Sequence, residues 1–262
     1  MSRPMTTNLR YYAALGVAHE AADLALGYFQ NRDKLDVSMK GAQDWLTVAD
    51  GAVEALIRER LAELFPQDSI LGEEMGGAYS DCLWVIDPID GTANFAHGDP
   101  NWCVSIAFLR RGEPEIGIIL APALDQTFTA RSGEGAFLNG SNIRVSAQSD
   151  LSKAAIECGW SARVPAGRYL SLIESGISAG ASIKRMGSGA LGICRVATGT
   201  SDGFVELHIN CWDVGAAILI AREAGAACSD YFSGDAINDG NPVLCCAPPL
   251  ASALGEVAGI DI

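Results

Sequence analysis

The sequence predicts a mixed α/β fold built in two halves. Two amphipathic helical patterns open the chain, a series of short apolar runs bounded by turn residues follows, and helical and strand patterns then alternate to the C-terminus. Each element can be justified in turn. From Asn8 to about Arg32 the positions Leu9, Tyr12, Ala13, Gly16, Val17, Ala21, Leu24 and Tyr28 recur at helical spacing, with Asn8 as the expected cap. A second helix is expected from Thr47, where Thr47 and Asp50 resemble a capping box with Asp in place of Glu, through Val53, Leu56, Ile57 and Leu61 to a stop before Pro66.

The runs SIL, CLWVI, WCVSIAFL, EIGIILA and QTFTA read as strands separated by EEMGG, RRGE and PALD, and RSGEGAFLNG reads as a glycine-rich turn region. A soft boundary near Asp150 divides an N-terminal half, 1–150, from a C-terminal half, 151–262, with no linker long enough to separate independent domains. In the second half helices are expected at Ala166 to Ile177, Gly189 to Thr198, Val214 to Gly225 and Pro248 to Ala258, with GFVEL and PVLCC as strands.

Composition narrows the function. Of 262 residues nearly half are hydrophobic, enough for a substantial core, and no window reaches the roughly 18 uninterrupted apolar residues of a membrane span. The N-terminus lacks the apolar block of a secretory signal, so a cytoplasmic protein is expected. A net charge of -14 argues against nucleic acid as a partner, because phosphate-backbone binding needs clustered Lys and Arg. The eight cysteines form no CxxC pair and mostly sit in apolar runs, and they are read as reduced, small hydrophobes.

The stretch Trp84 to Phe95, WVIDPIDGTANF, carries the chemistry. Its apolar run should be a strand ending at Asp87, Pro88 fixes the backbone, and Gly91 permits a turn, so Asp87 and Asp90 emerge together. Two such carboxylates repel and resist joint ionisation unless a cation lies between them. The candidate ligands are all oxygens, the Ile89 carbonyl included, which suits a hard cation such as Mg²⁺ rather than zinc. The plainer reading is a strand end and a helix cap. Glu73 and Glu74 in LGEEMGG, Asp213 in CWDVGAAILI and Asp44 each also have ordinary readings as loop or capping residues, yet together they look like a dispersed metal cage.

At this point the chain resembles the inositol monophosphatase family of Mg²⁺-dependent, Li⁺-sensitive phosphatases. The resemblance runs from about Asp36 to Cys246 and rests on DWLTVAD, LGEE, WVIDPIDGTANFAHG with VSIAF, GAFLNG with IRVS, GSGALGICRVATG and ELHINCWDVGAAILIAREAG. It implies a layered α-β-α-β-α sandwich of the inositol monophosphatase and fructose bisphosphatase type, acting as a single catalytic unit. Two or three Mg²⁺ are implied: Glu73, Asp87 and the Ile89 carbonyl on the first, Asp87, Asp90 and Asp213 on the second, and Glu73 helping a weaker third. It further implies that Asp44 and Thr92 position and activate a water, with Thr92 or Glu73 to accept its proton, that Gly91 and Thr92 bind phosphate through backbone N–H groups, and that Glu206 with the backbone of Gly189 and Ala190 holds substrate hydroxyls, Asp90 and Asp213 also belonging to the substrate site. Family members are commonly homodimers, and a homodimer is expected.

His97 has no carboxylate partner at telling spacing and is not expected to act as an acid. Trp84, Trp102 and Trp212 read as packing residues. The role of Lys40 stays open, Glu74 reads as a surface or supporting group, and Lys184 and Arg185 read slightly better as a solvated strand end than as an anion lure. GWSAR, residues 160–163 in its latter part, is a candidate pocket rim. The implied substrate is a small phosphate monoester, with myo-inositol monophosphate ahead of histidinol phosphate and fructose bisphosphate, since one cage serves several esters. A non-catalytic scaffold on the same fold is the alternative from another class.

Overall fold

The computed structural model describes the backbone of residues 3–31, 37–41 and 44–262, and the side chains of 7–31 and 48–262. The helices are α1 (Arg3–Gln30), α2 (Val48–Leu64), α3 (Thr92–His97), α4 (Ala166–Ser178), α5 (Gly189–Ala197), α6 (Cys211–Glu223), α7 (Ala236–Asp239) and α8 (Ala251–Ala258). The strands are β1 (Val37–Gly41), β2 (Asp44–Thr47), β3 (Ser69–Gly72), β4 (Gly76–Gly77), β5 (Cys82–Asp90), β6 (Cys103–Arg110), β7 (Glu113–Ala121), β8 (Gln126–Arg131), β9 (Ala136–Leu138), β10 (Ser141–Asn142), β11 (Ala155–Cys158), β12 (Ser182–Lys184), β13 (Gly203–Ile209), β14 (Ala227–Cys228) and β15 (Asn241–Cys246).

An eight-stranded sheet, ordered β10-β9-β8-β7-β6-β5-β3-β4, and a five-stranded sheet, ordered β12-β11-β13-β15-β14, organise the chain, with β1-β2 as a separate hairpin. The first sheet is antiparallel except where β3 meets β5. In the second, β12, β11 and β13 are parallel, and β13, β15 and β14 antiparallel.

Strand alternation builds the layers. Trp84, Ile86, Val104, Ile106, Phe108, Ile116 and Ile118 pack under Ala18, Ala21, Val53 and Ile57 of α1 and α2, while Leu83, Val85, Cys103, Ala107 and Ile119 on the opposite face join α5 and α6. Phe204, Val243 and Cys245 of the second sheet close that same middle core, and Val205, Leu244 and Cys246 turn outward to α4 and α8. The result is the α-β-α-β-α order that the family resemblance implied. Each fully buried aliphatic side chain contributes about 1.5–3 kcal/mol.

Two glycines let the middle layer close. A β carbon at Gly117 would fall 2.6 Å from Ala216 O, so β7 and α6 meet main chain to main chain, and one at Gly192 would fall 2.5 Å from the Phe204 ring. All eight cysteines are free thiols. Among the described residues no helix is long and apolar enough to cross a membrane.

Several boundaries differ from expectation. α1 starts at Arg3, so Asn8 is a helix-interior residue whose Oδ1 accepts from Arg131 Nη1 at 2.5 Å. β5 does not end at Asp87 but continues to Asp90, with its register to β6 shifting between the two, because Pro88 removes a ladder donor where the strand bulges. α6 begins at Cys211, three residues earlier than expected, and the turn region 131–140 contains β9. The strands β11 and β12 had no counterpart in the sequence reading.

Candidate active site

The two sheets face each other across the middle layer, and a cavity of about 270 Å³ opens where α3, α5 and α6 all begin. Its wall includes Glu73, Asp90, Gly91, Thr92, Glu206 and Asp213. Three helix starts directed at one cavity give it positive ends of backbone dipoles, a setting that suits an anion.

The β5 bulge delivers both carboxylates of the DPID stretch. Asp87 is fully buried, and its Oδ1 accepts from Ile89 N at 2.9 Å. Its Oδ2 is buried and meets no hydrogen-bond donor among the described residues. An oxygen of Asp87 and one each of Glu73 and Asp213 lie within 4.8 Å of one another. Glu73 reaches this point from the turn after β3, where its N–H donates to Ile86 O of β5 at 3.3 Å. Asp213 stands on the first turn of α6 and accepts from Asn210 N at 3.0 Å, so it caps its helix and faces the cluster at once.

Crowding the acids without a counter-charge favours their neutral forms. Burial, then the charges of Glu73, Asp90 and Asp213, push Asp87 well above the ordinary carboxylate range. Burial and the Asp90 charge push Asp213 up to about 7. An oxygen without a donor, inside an all-oxygen cluster held against its own repulsion, fits a hard divalent cation.

Asp90 lies outside that cluster of three and is held differently. Its Oδ2 accepts from Ser188 Oγ at 2.5 Å and Ala190 N at 2.8 Å, and its Oδ1 from Gly189 N at 3.3 Å, all at the start of α5. Burial raises its pKa, and these hydrogen bonds oppose the rise. The N–H groups of Gly189 and Ala190, expected to face substrate hydroxyls, are thus engaged by Asp90. Gly189 lines the cavity through its remaining atoms.

Gly91 adopts φ 93°, ψ 38°, the left-handed conformation that glycine favours, and a β carbon there would meet Asn101 O at 2.9 Å. Thr92 follows at the start of α3. Its Oγ1 lies 3.0 Å from Ile89 O and 3.2 Å from Asp50 Oδ1, each an acceptor for the hydroxyl proton. Asp50 is the acid that sequence reasoning missed as a site residue, having taken it as half of a capping box. It is fully buried on α2. The Asp44 backbone lies in β2, which runs beside α3, while the side chains of Asp44, Lys40 and Thr47 fall outside those described.

Glu206, on β13, forms part of the far wall, where burial and then the charges of Asp213 and Asp90 raise its pKa well above normal. A β carbon at Gly159 would fall 1.8 Å from Glu206 Oε2, so glycine makes the room this carboxylate occupies. Trp160 lines the rim as expected, with its ring 5.0 Å from that of Tyr169, and Arg185 lines the cavity from the exposed end of the loop after β12. Glu157, buried and bound to Arg195 Nη1 at 3.2 Å, completes that side. Trp84 and Trp102 are core residues; His97 Nδ1 contacts Ala93 O of its own helix at 2.7 Å.

A carboxylate-ringed cavity between two sheets, entered by helix N-termini, defines a layered α/β protein with an acidic cluster that could hold a metal ion. A family model described as the inositol monophosphatase family matches residues 8–256. The inositol-1-monophosphatase of Rhizobium meliloti is 38% identical over 234 residues, covering 87% of this chain and 88% of its own length. The Nus factor SuhB of Escherichia coli K12 is 36% identical over 226 residues, covering 84% and 85%. The solved structure of a Thermotoga maritima IMPase superposes with a TM-score of 0.85 at 31% identity, covering 95% of this chain and 96% of that one. The chain belongs to the inositol monophosphatase family.

Proposed function

We propose that this protein is a Mg²⁺-dependent phosphatase that hydrolyses a small phosphate monoester, with myo-inositol monophosphate the preferred substrate, by direct attack of water. The observation that carries the reading is the trio Glu73, Asp87 and Asp213, with oxygens within 4.8 Å and one buried oxygen lacking a donor. In this reading Glu73, Asp87, the Ile89 carbonyl, Asp90 and Asp213 hold two or three Mg²⁺. When bound, such ions supply positive charge to the entering and leaving oxygens and lower the pKa of water.

The chain's own groups supply the rest. The Thr92 hydroxyl, positioned by Asp50 and Ile89 O, takes a hydrogen bond from the attacking water and relays a proton toward Asp50 Oδ1. Backbone N–H groups of Gly91 and Thr92 receive phosphate oxygens at the left-handed turn. Ser188, Gly189 and Ala190 fix Asp90, and Glu206 accepts from the hydroxyls of the alcohol portion. The two halves, 1–150 and 151–262, work as one catalytic unit, since the cluster needs Asp213 from the second. The resemblance supports a homodimer in the cytoplasm.

The test is phosphate release from myo-inositol 1-phosphate and histidinol phosphate with Mg²⁺, with chelator, and with Mg²⁺ plus Li⁺. Metal-dependent, Li⁺-sensitive turnover favouring the inositol ester is expected; a preference for histidinol phosphate would replace the substrate, and no turnover of any monoester would remove the activity. The relatives named Nus factor SuhB favour a second reading, a factor that acts through a partner. The complete carboxylate trio argues against that as the sole role.

A further inference from the structure

Glu54 is a fully buried carboxylate on α2 that the proposed reaction does not use. It lies four residues after Asp50, on the same face of the helix. Its Oε1 accepts from Arg58 Nε at 2.8 Å and from Met75 N at 3.0 Å, and its Oε2 from Glu74 N at 2.8 Å. Arg58 Nη2 also donates to Gly76 O, so the pair grips the turn between β3 and β4 at three successive residues. A β carbon at Gly72 would fall 2.3 Å from Glu54 Oε1 and 2.6 Å from its Cδ. Gly72 therefore leaves the space that the carboxylate fills.

The residue between Gly72 and Glu74 is Glu73. Its N–H is tied to Ile86 O of β5, and the next two N–H groups are tied to Glu54. A three-residue turn could hydrogen-bond to water instead, and burying the Glu54 carboxylate beside a part-exposed Arg58 costs desolvation that a surface turn avoids. What the pair gives is position. Glu73 carries its charge to within 4.8 Å of two other acids, and an untethered turn would relieve that repulsion by swinging outward.

We propose that Glu54 is a positioning residue that holds Glu73 at the acidic cluster through the backbone of Glu74 and Met75. It thereby sets affinity for the divalent ion rather than the rate of reaction once the ion is bound. The proposal rests on the reading of that cluster as a Mg²⁺ site.

Calorimetric titration of the full chain with Mg²⁺ alone, without substrate, tests it in wild type, Glu54→Gln, Gly72→Ala and the double variant. Each single change is expected to weaken binding tenfold or more, with kcat at saturating Mg²⁺ within about threefold of wild type. The double variant should bind no worse than the weaker single one, because both changes release the same contact. Arg58→Lys, which keeps the charge and loses the fork, should weaken binding by a smaller factor, and with Gly72→Ala it carries the test if Glu54→Gln does not fold. Folded variants that bind Mg²⁺ within twofold of wild type, or that lose kcat at saturating metal with unchanged affinity, would overturn the role of Glu54. A wild type that binds no Mg²⁺ would instead overturn the underlying metal site.

Discussion

Replacing Asp213 with Asn should make the metal-free protein more stable while removing its response to Mg²⁺. In the folded state this carboxyl is raised from 3.8 to about 7. Its favourable contribution is therefore complete at low pH, where the folded state binds the proton, and is lost as pH rises through about 7. At 1.36 kcal/mol per pKa unit the shift corresponds to about 4 kcal/mol, reduced to roughly 2–4 because the cavity admits water. Repulsion within the cluster is a separate contribution: two charges at its 4.8 Å limit repel by about 3.5 kcal/mol at an effective dielectric of about 20. Asn keeps an oxygen to accept from Asn210 N, so the cap survives and only the charge goes. At about 2–4 °C per kcal/mol, Tm in chelator at pH 8 should rise by roughly 5–15 °C, and the gain should fade toward pH 4. With saturating Mg²⁺ the order should reverse. A variant no more stable than wild type in chelator at pH 8, or a gain independent of pH, would refute the reasoning.

Three other outcomes follow from the geometry. Thr92→Val and Asp50→Asn should each lower kcat by about 10²–10⁴-fold in phosphate-release assays, and Asp50→Asn should lose more than Asp44→Asn; the reverse order would return the proton acceptor to Asp44. Asp90→Asn should abolish turnover with an unchanged circular dichroism spectrum, and wild-type turnover would remove Asp90 from the proposed metal ligands. Glu206→Gln should change substrate preference more than overall rate. Gly159→Ala, which drives a methyl into the Glu206 carboxylate, should reproduce that change, and unchanged substrate profiles in both would remove Glu206 from the pocket.

The site was legible where backbone requirements restrict residue choice. The WVIDPIDG stretch announces a turn that delivers two acids together, because Gly91 is needed by the chain path itself, while the bulge that carries β5 past the expected end at Asp87 to Asp90 was not read. Asp50 was hidden for the opposite reason: an acid three residues after Thr47 also satisfies a helix-start pattern, and only the hydrogen bond from Thr92, 42 residues away in the chain, shows what it meets. The same holds for Ser188, whose bond to Asp90 joins residues 98 apart in the chain. Of the fold, the long core strands and helices were visible by period. β11 and β12 were not, since strands of four and three residues supply too few positions to show alternation. The order of layers came from family resemblance, because periodicity tells which face of an element is apolar and not which other face covers it.

The contact between Gly117 and Ala216 has a consequence for the proposed metal site. α6 rests on the sheet with backbone against backbone, and no side chain lies between to yield. Asp213 stands one turn away on that helix, and Asp87 belongs to the sheet beneath it, so the gap between them works as a caliper whose jaws are main chain. Mg²⁺ bonds oxygen at about 2.0–2.1 Å and Ca²⁺ at about 2.3–2.6 Å. The glycine contact fixes the main-chain side of that gap, so in the proposed metal site the difference between the two ions falls on the Asp87 and Asp213 side chains alone.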